Sequence, residues 1–157
     1  MSLPVRPTVS FEMIDKAFLK ASREWLLDPT FRELIMAQPV DKAAQEAWFA
    51  SLAERSDYLI WGLKTSEWIG ACGIKNIDFD NRSAEYWGYI YPAHLRGAGI
   101  GWQVLHFIVS KARSFGIDKL WLRVSKNNQS AILTYERWGF SRVCSEGHDI
   151  IRMELFL

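Results

Sequence analysis

The stretch Arg96-Gly97-Ala98-Gly99-Ile100-Gly101 stands between an aromatic, strand-like segment, Ala84 to Tyr91, and a segment of helical periodicity. Three glycines in five positions let the backbone turn tightly and approach a ligand closely, because no Cβ intervenes. Where such a turn opens into a helix, its free amides make a cradle for phosphate oxygens. The stretch therefore predicts a strand–turn–helix unit of a mixed α/β fold, with a phosphate-bearing ligand at the helix N-terminus. Two common nucleotide patterns do not fit it. A dinucleotide site needs Gly-x-Gly-x-x-Gly and an acidic residue after the next strand, where Ser125 stands here. A P-loop needs Lys-Ser or Lys-Thr after its last glycine, where this chain has Trp102-Gln103. A bare tight turn is the remaining reading if the motif stands alone.

After the loop, Ile100, Val104, Leu105, Ile108, Ala112 and Phe115 repeat at helical spacing until Gly116. Lys119 to Ser125 reads as a strand. Asn127 or Asn128 can cap a helix holding Ala131, Ile132 and Tyr135, which Gly139 closes. Phe140 to Ser145 and Asp149 to Phe156 read as a last pair of strands. Before the loop, Tyr58 to Leu63, Trp68 to Ile77 and Ala84 to Tyr91 form a meander broken by Lys64-Thr65-Ser66-Glu67 and by Asp78 to Arg82. The Asp78, Asp80, Asn81 spacing is turn chemistry, and no metal ligand set is expected. Further back, helices are predicted from Lys16 to Leu27, from Pro29 with Asp28 as cap, and from Asp41 to about Arg55. Phe31, Leu34 and Ile35 give the second its inner face, and Ala44, Trp48, Phe49 and Leu52 the third. Residues 1–8 read as a loose arm, and Phe11 to Ile14 as a short first strand. The helix between strands implies at least one parallel pair.

At 157 residues the chain is predicted to be a single domain, 1–157, with a real core. Its 19 basic and 18 acidic residues leave no electrostatic footprint for nucleic acid. No apolar run reaches the length of a membrane span, and the first residues lack a secretory signal. Cys72 and Cys144 have no metal-ligand spacing and read as buried reduced thiols, which suits a cytoplasmic location.

A second motif lies beyond the glycine loop: Asn128, Ala131, Tyr135, Gly139 and Phe140, in the pattern Asn-x-x-Ala-x-x-x-Tyr-x-x-x-Gly-Phe. With Arg96, Gly99 and Gly101 matching Arg/Gln-x-x-Gly-x-Gly/Ala, the chain resembles the GNAT superfamily of acetyl-CoA-dependent N-acetyltransferases. The resemblance runs from Trp68 to Phe140, about half the chain. It implies a mixed, mostly antiparallel sheet flanked by helices, with two central strands splayed at the acetyl-CoA site. It implies that the amides of Arg96, Gly97, Ala98, Gly99, Ile100, Gly101 and Trp102 hold the pyrophosphate. The pantetheine arm would pair with Tyr89-Ile90-Tyr91, and Asn128 and Ala131 would touch the cofactor across the splay. No residue nucleophile is needed, since an amine attacks the thioester directly. The counterpart of Tyr135 lies near the sulfur and is the expected acid. Glu85, on the strand face of Trp87, Tyr89 and Tyr91, is the expected base, with a water relay as the other route. His94 and His106 are expected to serve surface and structural roles.

One branch of the superfamily, which acetylates ribosomal proteins, uses a glutamate twelve residues before the tyrosine, where this chain has Arg123. The segments Trp25-Leu26-Leu27-Asp28-Pro29, Pro39-Val40-Asp41 and Asn76 to Glu85 are similar to a branch that includes amino-sugar-nucleotide acetyltransferases. The expected acceptor is thus a small primary amine, an amino sugar first. Trp25, Trp48 and Trp87 are candidates for its aromatic wall. The alternatives are a protein N-terminus, an aminoglycoside, a polyamine, or no turnover at all in an acyl-CoA-binding module. Because many members of the superfamily are dimers, the resemblance also implies a homodimer.

Overall fold

Asp15, Asp28 and Asp41 start the three helices that open the chain in the computed structural model, which describes residues 7–157. These are α1 (Lys16–Trp25), α2 (Pro29–Leu34) and α3 (Lys42–Ser51). Each aspartate accepts a first-turn amide: Phe18 N at 2.8 Å, Thr30 N at 3.0 Å and Ala44 N at 3.3 Å. Such a cap contributes about 1 kcal/mol. The third helix is shorter than its pattern suggests. It stops at Ser51, and Leu52–Glu54 tighten into a single 3₁₀ turn. The first strand, β1 (Ser10–Glu12), starts one residue earlier than Phe11 and ends before Asp15 takes up its capping conformation. Of the arm expected over residues 1–8, residues 1–6 lie outside the described residues. Pro7 and Val9 are tied to Gln103, whose amide donates to Pro7 O at 2.8 Å and accepts from Val9 N at 3.2 Å.

The remaining strands are β2 (Leu59–Lys64), β3 (Trp68–Asp78), β4 (Ser83–Ile90), β5 (Lys119–Ser125), β6 (Ser141–Glu146) and β7 (Ile150–Phe156). They form one sheet in the order β1-β2-β3-β4-β5-β7-β6. Only β4 and β5 run parallel, joined by the crossover helix α4 (Ile100–Ser114). Helix α5 (Gln129–Trp138) connects β5 to β6. This is the expected mixed, mostly antiparallel sheet flanked by helices.

Strand alternation divides the apolar residues between two layers. On one face Leu63, Ile74, Leu120, Leu122 and Met153 pack beneath Ile100, Leu105 and Ile108 of α4 and Ile132 of α5. On the other, Ala71 lies under Phe18, Leu19, Trp25 and Phe31 of the opening helices. Among the described residues no helix is long and apolar enough to cross a membrane. Cys72 is buried, but Cys144 is exposed, because β6 is an edge strand turned toward solvent. The expectation of two buried thiols therefore fails at Cys144.

Gly70 lets β3 lie close against the end of β4, where it is paired with Ile90. A Cβ there would collide with the Tyr89 carbonyl and come within 3.2 Å of Ile90 Cα. Gly70→Ala is expected to lower stability by about 1–3 kcal/mol. Gly101→Ala, whose Cβ would find only Thr134 Cγ2 at 3.6 Å, is expected to leave stability nearly unchanged. Urea denaturation of the two variants checks the contrast.

Candidate active site

The β4–β5 ladder has three rungs: Ser83 opposite Lys119, Ala84 opposite Leu120 and Glu85 opposite Trp121. Beyond them β4 continues to Ile90 and β5 to Ser125 without pairing to each other. The strands open, and the gap exposes one edge of β4. Tyr91 N donates to Ile69 O at 2.8 Å, so the backbone groups of Tyr89 and Tyr91 face β3. By alternation the N–H groups of Gly88 and Ile90 face the gap. Arg96 closes its far end. Its guanidinium donates to Ile90 O at 2.8 Å and to Tyr91 O at 2.6 Å.

The glycine loop follows directly. Gly97 and Gly99 take φ of 80° and 85°, conformations that an L side chain rarely adopts. Gly99 is the N-cap of α4 and offers no side chain to the first turn. The amides of Ile100, Gly101 and Trp102 therefore point out of the helix end without a capping partner. Together with the helix dipole they attract an anion, each such interaction being worth about 0.3–1 kcal/mol.

Helix α5 supplies the third wall. Asn128 caps it, its Oδ1 accepting from Ala131 N at 3.4 Å. Tyr135 lies edge-on to Tyr86 of β4, with ring centroids 6.0 Å apart. Burial pushes the Tyr135 hydroxyl up to about 12, and a hydrogen bond from Tyr86 pulls weakly the other way. Loop, open edge and α5 enclose a cavity of about 650 Å³. Residues from both sides of the sheet line it: Val104 and Tyr135 on the α4/α5 side, Phe31, Leu34 and Ile35 of α2 on the other. The cavity thus runs through the sheet where the strands part.

The matching family model is the acetyltransferase (GNAT) family, over residues 19–140. The chain belongs to the GNAT acetyltransferase family. No curated protein matches it significantly in sequence. The fold is shared with solved structures. A domain from Methanocaldococcus jannaschii superposes with a TM-score of 0.83 at 18% identity, covering 96% of this chain and 99% of that one. Spermidine N-acetyltransferase from Vibrio cholerae, in complex with CoA and spermine, gives 0.82 at 17%, with 94% and 95% covered. N-acetyltransferase PseH from Campylobacter jejuni gives 0.73 at 17%, with 97% and 99% covered.

Within this GNAT domain the residues expected at the site divide into two groups. Tyr89, Ile90, Arg96, Gly97, Ala98, Gly99, Gly101, Trp102, Asn128, Ala131 and Tyr135 all border the cavity. Tyr91 and Ile100 do not: Tyr91 turns toward Trp25 and Phe31, and the Ile100 side chain is fully buried in the core. The three tryptophans expected to wall an acceptor do not border it either. Trp25 is 7% exposed and packs on Tyr91 as core. Trp48 packs edge-on to Tyr58, and Trp87 lies over Gly73. Phe31, Leu34 and Ile35 border the cavity instead. The inner face of α2 was legible in the sequence, but not that it fronts a cavity. Glu85 is also outside the lining. It is 4% exposed, accepts from Asn76 Nδ2 at 2.9 Å and lies 3.6 Å from Arg123 Nε. His94 is exposed beside the loop, and His106 lies against Trp138. Asp78 forms the expected turn, accepting from Asn81 N at 3.0 Å.

Burial raises the hydroxyls of Tyr58, Tyr86, Tyr89 and Tyr135 above their ordinary range, Tyr58 and Tyr135 to about 12. The unfolded chain would release these protons near pH ~10. The stability tied to them is thus present below that pH and is lost as pH rises toward 12. Phenolate absorbance is expected to lag far behind the free-tyrosine curve at pH 10 and to jump with alkaline unfolding.

Proposed function

We propose that this chain acetylates a small primary amine with acetyl-CoA as donor, an amino sugar being the first candidate. The observation that carries the reading is convergence. Uncapped amides of α4, the open edge of β4 and Tyr135 all border one cavity. The site fits the donor's chemistry: an anion cradle at one end, an extended backbone edge for an amide-bearing arm, and a phenol near the strand opening. Two structural neighbours bear the donor or its product in their names, the Vibrio enzyme with CoA and PseH with acetyl coenzyme A.

In this reading the N–H of Ile90 or Gly88 faces the thioester oxygen and holds the developing oxyanion. The amine nitrogen attacks the carbonyl carbon, the C–S bond breaks, Tyr135 gives its proton to the leaving thiolate, and the nitrogen's second proton passes through water to restore the phenol. A phenol kept protonated by burial is suited to that task. The ammonium proton must leave first. Among the described residues the lining holds no carboxylate and no histidine, and in this reading water takes that proton. Glu85, held by Asn76 and Arg123 outside the lining, would exchange a proton with the cavity through such water. Aligning two bound reactants supplies roughly 7–11 kcal/mol of the barrier reduction.

The same lining bears on the acceptor. Among the described residues its charged side chains are Arg96 and Arg137. A polyamine would meet cations without a compensating acid, whereas the apolar Phe31, Leu34 and Ile35 suit a sugar face. An acetyl-CoA titration by calorimetry, followed by thiol release with amino sugars, aminoglycosides, polyamines and peptides, tests the assignment. Binding without turnover on any amine would favour a non-catalytic acyl-CoA-binding module. No binding would end the reading.

Tyr135→Phe is expected to lower kcat by about 10²–10⁴-fold with little change in donor affinity. Glu85→Gln is expected to lower activity while keeping the shape of the pH–rate profile. Loss of the acidic limb would instead return the base role to Glu85.

A further inference from the structure

Pro7 precedes β1 and lies far from the glycine loop in sequence, yet it borders the same cavity. Gln103, in the first turn of α4, holds it there. The side-chain amide donates to Pro7 O at 2.8 Å and accepts from Val9 N at 3.2 Å. A neighbouring parallel strand would make the same pair of bonds around Thr8. Because β1 is an edge strand and begins only at Ser10, Gln103 stands in for a partner that the sheet does not supply. The same face of α4 continues the contact one turn on. Phe107 stacks on Phe11, with centroids 3.9 Å apart and planes at 7°, and Trp61 meets Phe107 edge-on at 5.0 Å. Phe11 is anchored a second time by the ladder, opposite Leu63 of β2. Ahead of β1, the two bonds to Gln103 fix the course of the chain toward the cavity.

We infer that Gln103 is a positioning residue for the donor, pinning Pro7 as a wall of the cavity that the first-turn amides of α4 also border. The inference rests on acetyl-CoA being the donor. Gln103 N donates to Gly99 O at 3.3 Å, so the clamp and the anion cradle belong to one helical turn. A proline suits such a wall: its φ is fixed, and it has no N–H to leave unpaired at the cavity edge. Apolar cover keeps bulk water from the cavity and strengthens the attraction of its amides for an anion. Docking of Pro7 and binding of the donor are thereby linked, and each favours the other by the same factor.

Gln103→Met keeps the length of the side chain and removes both hydrogen bonds. It is expected to weaken acetyl-CoA about fivefold, in calorimetry and in KM, with kcat nearly unchanged. Pro7→Ala is expected to act in the same direction, and the double variant to lose no more than Gln103→Met alone. Reciprocally, saturating acetyl-CoA is expected to slow hydrogen exchange at the Val9 amide about fivefold in the wild type and to leave it unchanged in Gln103→Met. Pro7→Ala and the wild-type exchange measurement decide the matter however Gln103→Met folds, which urea denaturation reports. Lower stability with wild-type donor affinity in Gln103→Met would reduce the clamp to a structural tie and overturn the inference. Additive losses in the double variant, or wild-type Val9 exchange indifferent to bound acetyl-CoA, would overturn it too. If the wild type does not bind acetyl-CoA at all, the donor assignment itself fails, and the inference with it.

Discussion

Three rungs of parallel pairing hold β4 to β5, and the last joins Glu85 to Trp121. Beyond that rung the gap-side backbone groups of β4 must find partners other than a strand. A buried amide or carbonyl left unpaired costs about 1–3 kcal/mol. Part of that cost is removed from within the chain, since Arg96 takes the carbonyls of Ile90 and Tyr91. The N–H groups on the gap side remain. Gly88 leaves room for the Tyr86 side chain, whose hydroxyl a Cβ there would meet at 2.6 Å. An opening that began one rung later would shorten the free edge and crowd Tyr86 and Tyr135.

The electrostatics of the cavity follow from the same arrangement. With Arg96 engaged on the strand, attraction for an anion at the loop comes from backbone amides and the helix dipole. Amides fixed by Gly97 and Gly99 need no reorganisation and no counter-charge. A lysine or arginine in that place would bring a long side chain and a solvation shell to be removed. The glycines therefore matter twice, once for the turn and once for the bare surface they leave. Among the described residues the lining carries no carboxylate, and an acid there would oppose the anion cradle.

Caps and turns were the most legible features because they depend on neighbours in sequence. Asp28, Asp41, Asn128 and Gly139 act where local chemistry puts them. The glycine loop and the Asn128–Tyr135 spacing were legible for the same reason. What escaped the sequence were contacts made between layers. The apolar stripe of Phe31, Leu34 and Ile35 reads identically whether it meets core or cavity. Trp25, Trp48 and Trp87 carry no local mark of whether a helix will cover them. Only the crossing of α1 to α3 over β2 to β4 decides that Trp25 is sealed beneath the layer. The turn of the Arg96 guanidinium back to β4 depends on where β4 ends, which no local pattern marks.

Glu85 shows how a local departure can be balanced across strands. Arg123 stands where one related branch has a glutamate, which by itself would put an unpaired cation on the diverging strand. Here Glu85 on the neighbouring strand lies 3.6 Å away, and Arg123 also reaches Glu146 at 3.7 Å. Asn76 completes the shell of the buried carboxylate from a bulge in β3, at φ 50°. A non-glycine residue held in that region is strained and persists only where its surroundings hold it. The two strands are thus tied at the point where they begin to part, Glu85 to Arg123, while the edge just beyond stays free.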